Sequence, residues 1–189
     1  MGFDLGRVLR RLKPERLGPP LPRRPPSELP FIDAHLRPGP ELLLHTTVYI
    51  DGLQDNSPRE VDDLMAMRVC NHSAVCLAEL THAFGHLDPA HPGTTRALDG
   101  IAKAIGLMRP HRLREPSQSA WGTAGVLAGM AFRLGAYQKG QERKLLHDAL
   151  VYLQAIENGQ VVLTGNISDF DILNQLVPEG RILVYTRRA

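Results

Sequence analysis

Apolar residues along this chain fall into short blocks divided by polar turns. Leu42-Leu43-Leu44, Val161-Val162-Leu163 and Ile182-Leu183-Val184 are brief uninterrupted runs, the pattern of strands covered on both faces. A fourth strand is predicted near Val69, running into a helix through Ser73-Ala74-Val75-Cys76-Leu77-Ala78-Glu79-Leu80, and a short fifth near Leu113. Between them the spacing turns helical. Val61, Leu64 and Met65 form one stripe after the start signal Ser57-Pro58-Arg59-Glu60. Leu98, Ile101, Ala102, Ile105 and Leu107 form another, over 95–107. Ser117 to Gly135 reads as a close-packed helix, with Gly122, Gly125 and Gly129 allowing close approach within the domain or across a dimer. Leu145 to Asn158 is a further helix closed by Gly159. Strand and helix signals alternate throughout 41–189, which predicts a three-layer α/β/α sandwich around a mainly parallel sheet.

Residues 1–40 read differently. Leu5, Val8, Leu9 and Leu12 share one face of a short helix, with Arg7, Arg10, Arg11 and Lys13 around them. Pro19, Pro20, Pro22, Pro25, Pro26, Pro30, Pro38 and Pro40 follow, a density that excludes helix and central strand and predicts an extended connector. This leader carries eight Lys/Arg against four Asp/Glu, so the remaining 14 basic and 16 acidic residues leave the body slightly acidic. The readings open for it are a phosphate-attracting arm, a helix that docks on a partner, a solvated spacer, or a flap over the site.

A hydrophobic fraction of 43% excludes a wholly disordered chain. No apolar run is long enough to cross a bilayer, and no secretory signal core follows the first charges. Cys70 and Cys76 have no zinc-ribbon spacing and fit buried thiols in a reducing cytoplasm, the expected location.

Polar groups collect where strands give way to helices, which is where open α/β sheets bind ligands. His45, Thr46 and Thr47 end the first strand, with both threonines placed to cap the next helix. Glu79, Asp148 and the run Thr164-Gly165-Asn166-Ile167-Ser168-Asp169 stand at or beyond later junctions. Carboxylates gathered at one sheet edge repel one another, and Mg2+ or Mn2+ relieves that repulsion while activating water toward a phosphodiester. Glu79, His82 and His86 also share one helical face with metal-ligand spacing. Arg109, His111, Arg112 and Arg114 form a basic patch, read either as a solvated loop or as a contact for RNA phosphates.

Three strings resemble the PIN domains, specifically VapC-like toxins of bacterial type II toxin–antitoxin systems. They are LLLHTTVYIDGL from Leu42, SAVCLAEL from Ser73, and LLHDALVYLQAIENGQVVLTGNISDFDIL from Leu145. The resemblance covers 41–189 and leaves 1–40 without a counterpart. It implies metal-dependent cleavage of RNA, a small antitoxin partner and a homodimer. Glu79, Asp148 and Asp169 match the catalytic and metal-binding acids, Asn166 or Asp169 fills the fourth ligand position, and Thr47 matches the residue that orients water or phosphate. The chain departs from the family at its first acid, where His45 stands instead of Asp. Imidazole is a poor ligand for Mg2+ and an acceptable one for Mn2+. The resemblance therefore implies either a ribonuclease with His45 as a variant ligand, or a degenerate PIN-like domain that binds RNA or protein without cleaving.

Overall fold

The computed structural model describes residues 2–16, 18, 20–135 and 137–188. Five parallel strands form one sheet: β1 (Leu42–Leu44), β2 (Cys70–Ser73), β3 (Leu113–Arg114), β4 (Val161–Thr164) and β5 (Arg181–Val184), in the order β3-β2-β1-β4-β5. Among the described residues, eight α-helices surround it: α1 (Leu5–Leu12), α2 (Thr46–Leu53), α3 (Arg59–Met67), α4 (Ala74–His86), α5 (Thr94–Gly106), α6 (Gln118–Leu134), α7 (Glu142–Glu157) and α8 (Ile167–Leu176).

The alternation of side chains along the strands assigns the two faces. Leu43, Val162, Ile182 and Val184 join the cluster built from α4, α6, α7 and α8. Leu42, Leu44, Val161, Leu163 and Leu183 meet Val48 of α2 and Val61 and Leu64 of α3 on the other side. Both faces of the sheet are thus covered, as the unbroken apolar runs require. The predicted three-layer sandwich is present.

The chain leaves β1 to build β2 and β3 on one flank, then returns to build β4 and β5 on the other. The switch point lies between β1 and β4, which pair from Leu42↔Val161 to Leu44↔Leu163. A doubly wound sheet opens its crevice there, beyond the carboxyl ends of these two strands.

The leader does not stand off from the body. Val8 and Leu12 are buried in the main cluster, and α1 lies against α6. The Leu21 amide donates to Leu134 O (2.8 Å), and Arg24 Nε pairs with Asp171 Oδ1 at 2.5 Å. Phe31 makes a parallel bridge to Val184, extending the sheet beyond β5, and Ile32 is 2% exposed in the second cluster. Proline density excludes long regular elements, yet it permits the three-residue 3-10 turns at Pro14–Arg16 and Pro26–Glu28. Pro19, counted in the predicted connector, lies outside the described residues.

Candidate functional site

His45 follows β1 immediately, its amide still bonded to Leu163 O at 3.1 Å. It occupies the cap position of α2 with extended backbone and no side-chain cap, because its ring turns inward. The ring packs edge-on against Phe170, with centroids 4.8 Å apart. Nδ1 lies 2.9 Å from Thr164 Oγ1 and 3.1 Å from Thr47 Oγ1, and Nε2 lies 3.0 Å from Asp148 Oδ1. His45 and Asp148 are both almost fully buried.

The threonines expected as caps serve the site instead. Thr46 donates its hydroxyl to Glu79 Oε2. Thr47 Oγ1 accepts from the Gly165 amide at 2.9 Å and so ties α2 to the turn after β4. Gly165 keeps that approach uncrowded: a Cβ would lie 3.0 Å from Asp51 Oδ2 and from the Tyr185 ring, which would have to give way.

Glu79 reaches the site from α4, a helix started by Ser73, whose Oγ accepts from the Val75 amide at 3.2 Å. Its Oε1 lies 2.9 Å from His147 Nδ1. Burial pushes the Glu79 carboxyl up, but the hydrogen bonds from His147 and Thr46 outweigh it and leave the pKa below the ordinary value. Glu79 is therefore ionised and accepts both bonds.

Asp148, on α7, behaves oppositely. Burial dominates and raises its pKa, against the downward pull of His45. Its Oδ2 accepts from Asn166 Nδ2 at 3.1 Å. The same amide donates to Asp169 Oδ2 at 2.7 Å, so Asn166 bridges two acids. Asp169, in the first turn of α8, also accepts from Tyr137 Oη at 2.8 Å and Lys144 Nζ at 2.6 Å. Burial works against its charge, yet Lys144, Asn166 and Tyr137 together lower its pKa.

The structure thus brings His45, Thr47, Glu79, Asp148, Asn166 and Asp169 together at the switch point. Most of them, with Lys144, His147 and Arg187, line a cavity of about 630 Å³ or lie directly behind it, a size within the range of small-ligand clefts. Arg109, Arg112 and Arg114 do not line it. Arg112 pairs with Glu41 at 3.6 Å, before β1, and Arg114 lies on the edge strand β3. The Glu79, His82 and His86 face is not assembled as a metal site either. α4 continues through His86, and the His82 and His86 rings stack on each other at 5.0 Å, while Glu79 turns to His147 and Thr46.

Sequence reasoning missed Lys144, His147 and Tyr137, whereas Thr164 stood in the polar run it singled out. Lys144 and His147 precede Asp148 by one helical turn and by one residue, a spacing that signals them only once Asp148 is known to face inward.

The donor set does not fit a hard divalent ion in this arrangement. All six carboxylate oxygens of Glu79, Asp148 and Asp169 are bonded to protein donors. Each acid has its own basic neighbour: His147, His45 and Lys144. Whichever of His45 and Asp148 holds their shared proton, Nε2 and Oδ1 are spent on each other. Among the described residues no group of three or more His, Cys, Asp or Glu side chains is disposed to hold a metal.

No protein-family model matches this sequence, and no curated protein matches it. Solved structures do. A chain of VapBC2 from Rickettsia felis, bound to a DNA fragment from its promoter, aligns over 76% of this chain and 98% of its own, with a TM-score of 0.53 and 13% identity. DNA-bound VapBC from Salmonella typhimurium aligns over 76% and 97%, at 0.51 and 20%. FitAcB from Neisseria gonorrhoeae aligns over 75% and 96%, at 0.53 and 14%. The fold is that of the PIN domain. At these identities the likeness fixes the PIN-like architecture alone. Among the described residues no helix is long and apolar enough to cross a membrane.

Proposed function

We propose that this chain is a PIN-like RNA-binding protein of the toxin–antitoxin type, whose acid pocket grips the RNA backbone without Mg2+-dependent hydrolysis. The observation that carries this reading is the bonding of every oxygen of Glu79, Asp148 and Asp169 by the chain's own donors, with His45 in contact with Asp148 where the PIN pattern has an acid. With the acids neutralised from within, the mouth of the cavity is dominated by Arg143, Lys144, His147 and Arg187, groups suited to phosphate oxygens. A small antitoxin, a second copy of this chain and a cytoplasmic location are part of the same proposal. The antitoxin partner is supported by the VapBC assemblies named for the structural neighbours.

A second reading keeps hydrolysis of RNA. Lys144 is 56% exposed and His147 28% exposed, so both can swing aside and free Asp169, Asn166 and Glu79 for Mg2+ or Mn2+. His45 and its partner Asp148 are locked in by burial. The test is binding and cleavage of single-stranded RNA by the native protein and His45→Asp, in EDTA, Mg2+ and Mn2+. Native protein is expected to bind RNA equally in EDTA and Mg2+ and to leave it intact, while His45→Asp gains Mg2+-dependent cleavage. Cleavage by native protein with Mn2+ would select the second reading. Absence of RNA binding in every condition would refute both and leave the antitoxin as the partner to pursue.

A further inference from the structure

The acid cavity does not end at Arg187. A second cavity of about 480 Å³ shares Thr47, Lys144 and Arg187 with it. A third, of about 340 Å³, shares Gly165, Asn166 and Ile167 with the second and is walled on its far side by Arg23 and Arg24 of the leader. The three adjoin as one groove, running from α7 across the turn after β4 to the proline-rich segment.

Its cations are mounted in a repeated way. Arg187 Nε lies 2.8 Å from Asp51 Oδ1, an ion pair without hydrogen-bond geometry. Lys144 is held by Asp169 and Arg24 by Asp171. The three acids are 0%, 5% and 2% exposed, while Arg187, Lys144 and Arg24 are 55%, 56% and 25% exposed. The negative charge is therefore sunk in the floor and the positive charge faces the groove. Two further guanidiniums stand at its ends. Arg143 and Arg23 are exposed and have no hydrogen bond or ion pair among the described residues. Arg23 is close enough to the acid site to act on Tyr137.

We infer that this groove is a track for the backbone of single-stranded RNA, and that the leader completes it through Arg23. Cations held on buried acids, with an unpaired guanidinium at either end, match successive phosphates, and the row is longer than the acid pocket alone can serve. Tyr185 is the one Phe, Tyr or Trp side chain among the described residues that line the groove, so the contact is mainly to phosphate and tolerant of sequence. The inference rests on the RNA reading above.

The experiment is titration of a labelled twelve-nucleotide RNA and a three-nucleotide RNA at several salt concentrations. The proteins are native, Arg23→Ala, Arg23→Lys, and Arg59→Ala as an exposed cation away from the groove. Removing one phosphate contact should weaken the longer RNA by about three- to tenfold and flatten the slope of log K against log salt by about one unit. Arg23→Ala should do this for the twelve-nucleotide RNA and leave the three-nucleotide RNA unchanged, while Arg23→Lys and Arg59→Ala keep the native slope. Unchanged affinity and slope in Arg23→Ala, with native binding intact, would overturn the track and leave the acid pocket as the RNA site. Equal affinity of native protein for duplex DNA would point to promoter binding instead. Failure of native protein to bind either RNA would overturn the RNA reading itself.

Discussion

His45 makes one buried contact that decides the behaviour of its neighbour. Without Nε2, Asp148 would keep only the Asn166 amide and remain enclosed. Breaking one side of a buried pair costs about 3–5 kcal/mol, so His45→Ala should lose that much in chemical denaturation. His45→Asn, which can still donate, should lose less. Equal losses would mean that ring packing against Phe170, not the bond to Asp148, accounts for the cost. Glu79 allows a pH test. Its folded pKa lies below its ordinary value of 4.5, so its contribution to stability is present above 4.5 and is lost as pH falls through the folded pKa. Native protein should therefore lose stability on passing from pH 6 to pH 3.5 more steeply than Glu79→Gln does. Parallel curves would assign acid sensitivity to other carboxylates.

At the scale of elements, β5 and the segment before β1 depend on each other. Phe31 bridges Val184, the Val184 amide donates to Pro30 O at 3.0 Å, and Ile32 fills the cluster beneath α3. Truncating a buried Ile to Ala costs about 2–5 kcal/mol, and Ile32→Ala should show this by denaturation despite lying in the leader. A cost under about 0.5 kcal/mol, the surface range, would mean that the strap is loosely held. This strap was hidden in the sequence for a physical reason: prolines suppress periodicity, so Phe31-Ile32 carries no helical or strand signature. The runs at Leu42, Val161 and Ile182 were legible because strands covered on both faces need no alternation. In β2 only residues 70–73, Cys-Asn-His-Ser, form the strand, and their apolar content is low; the register with Leu42–Leu44 supplies what hydropathy does not. The site was legible as a set of acids and a histidine at strand ends. Their mutual bonds were not, because Asp148 and His45 stand on elements that only the parallel pairing of β1 with β4 draws together.

Over the whole molecule, the question is whether residues 1–40 are an appendage or a part of the folding unit. Val8, Leu12 and Ile32 are each under a tenth exposed. The leader also supplies Arg24, which gives Asp171 its only ion pair among the described residues and bonds Asn174 Oδ1 at 2.8 Å. Removing the segment would uncover apolar surface on α6 and leave Asp171 buried beside β5 without its cation. Burial of several aliphatic side chains is worth about 1.5–3 kcal/mol each, and 1 kcal/mol moves the melting temperature of a chain this size by about 2–4 °C. A variant beginning at Gly39 should therefore melt more than about 10 °C below the native protein and bind a fluorescent apolar dye. An unchanged melting temperature would make the leader a detachable arm, as its composition alone suggests. No described leader residue lines the acid cavity, so the truncated protein, if it stays folded, should not gain RNA cleavage. A rise in cleavage would show that the leader covers the site in solution.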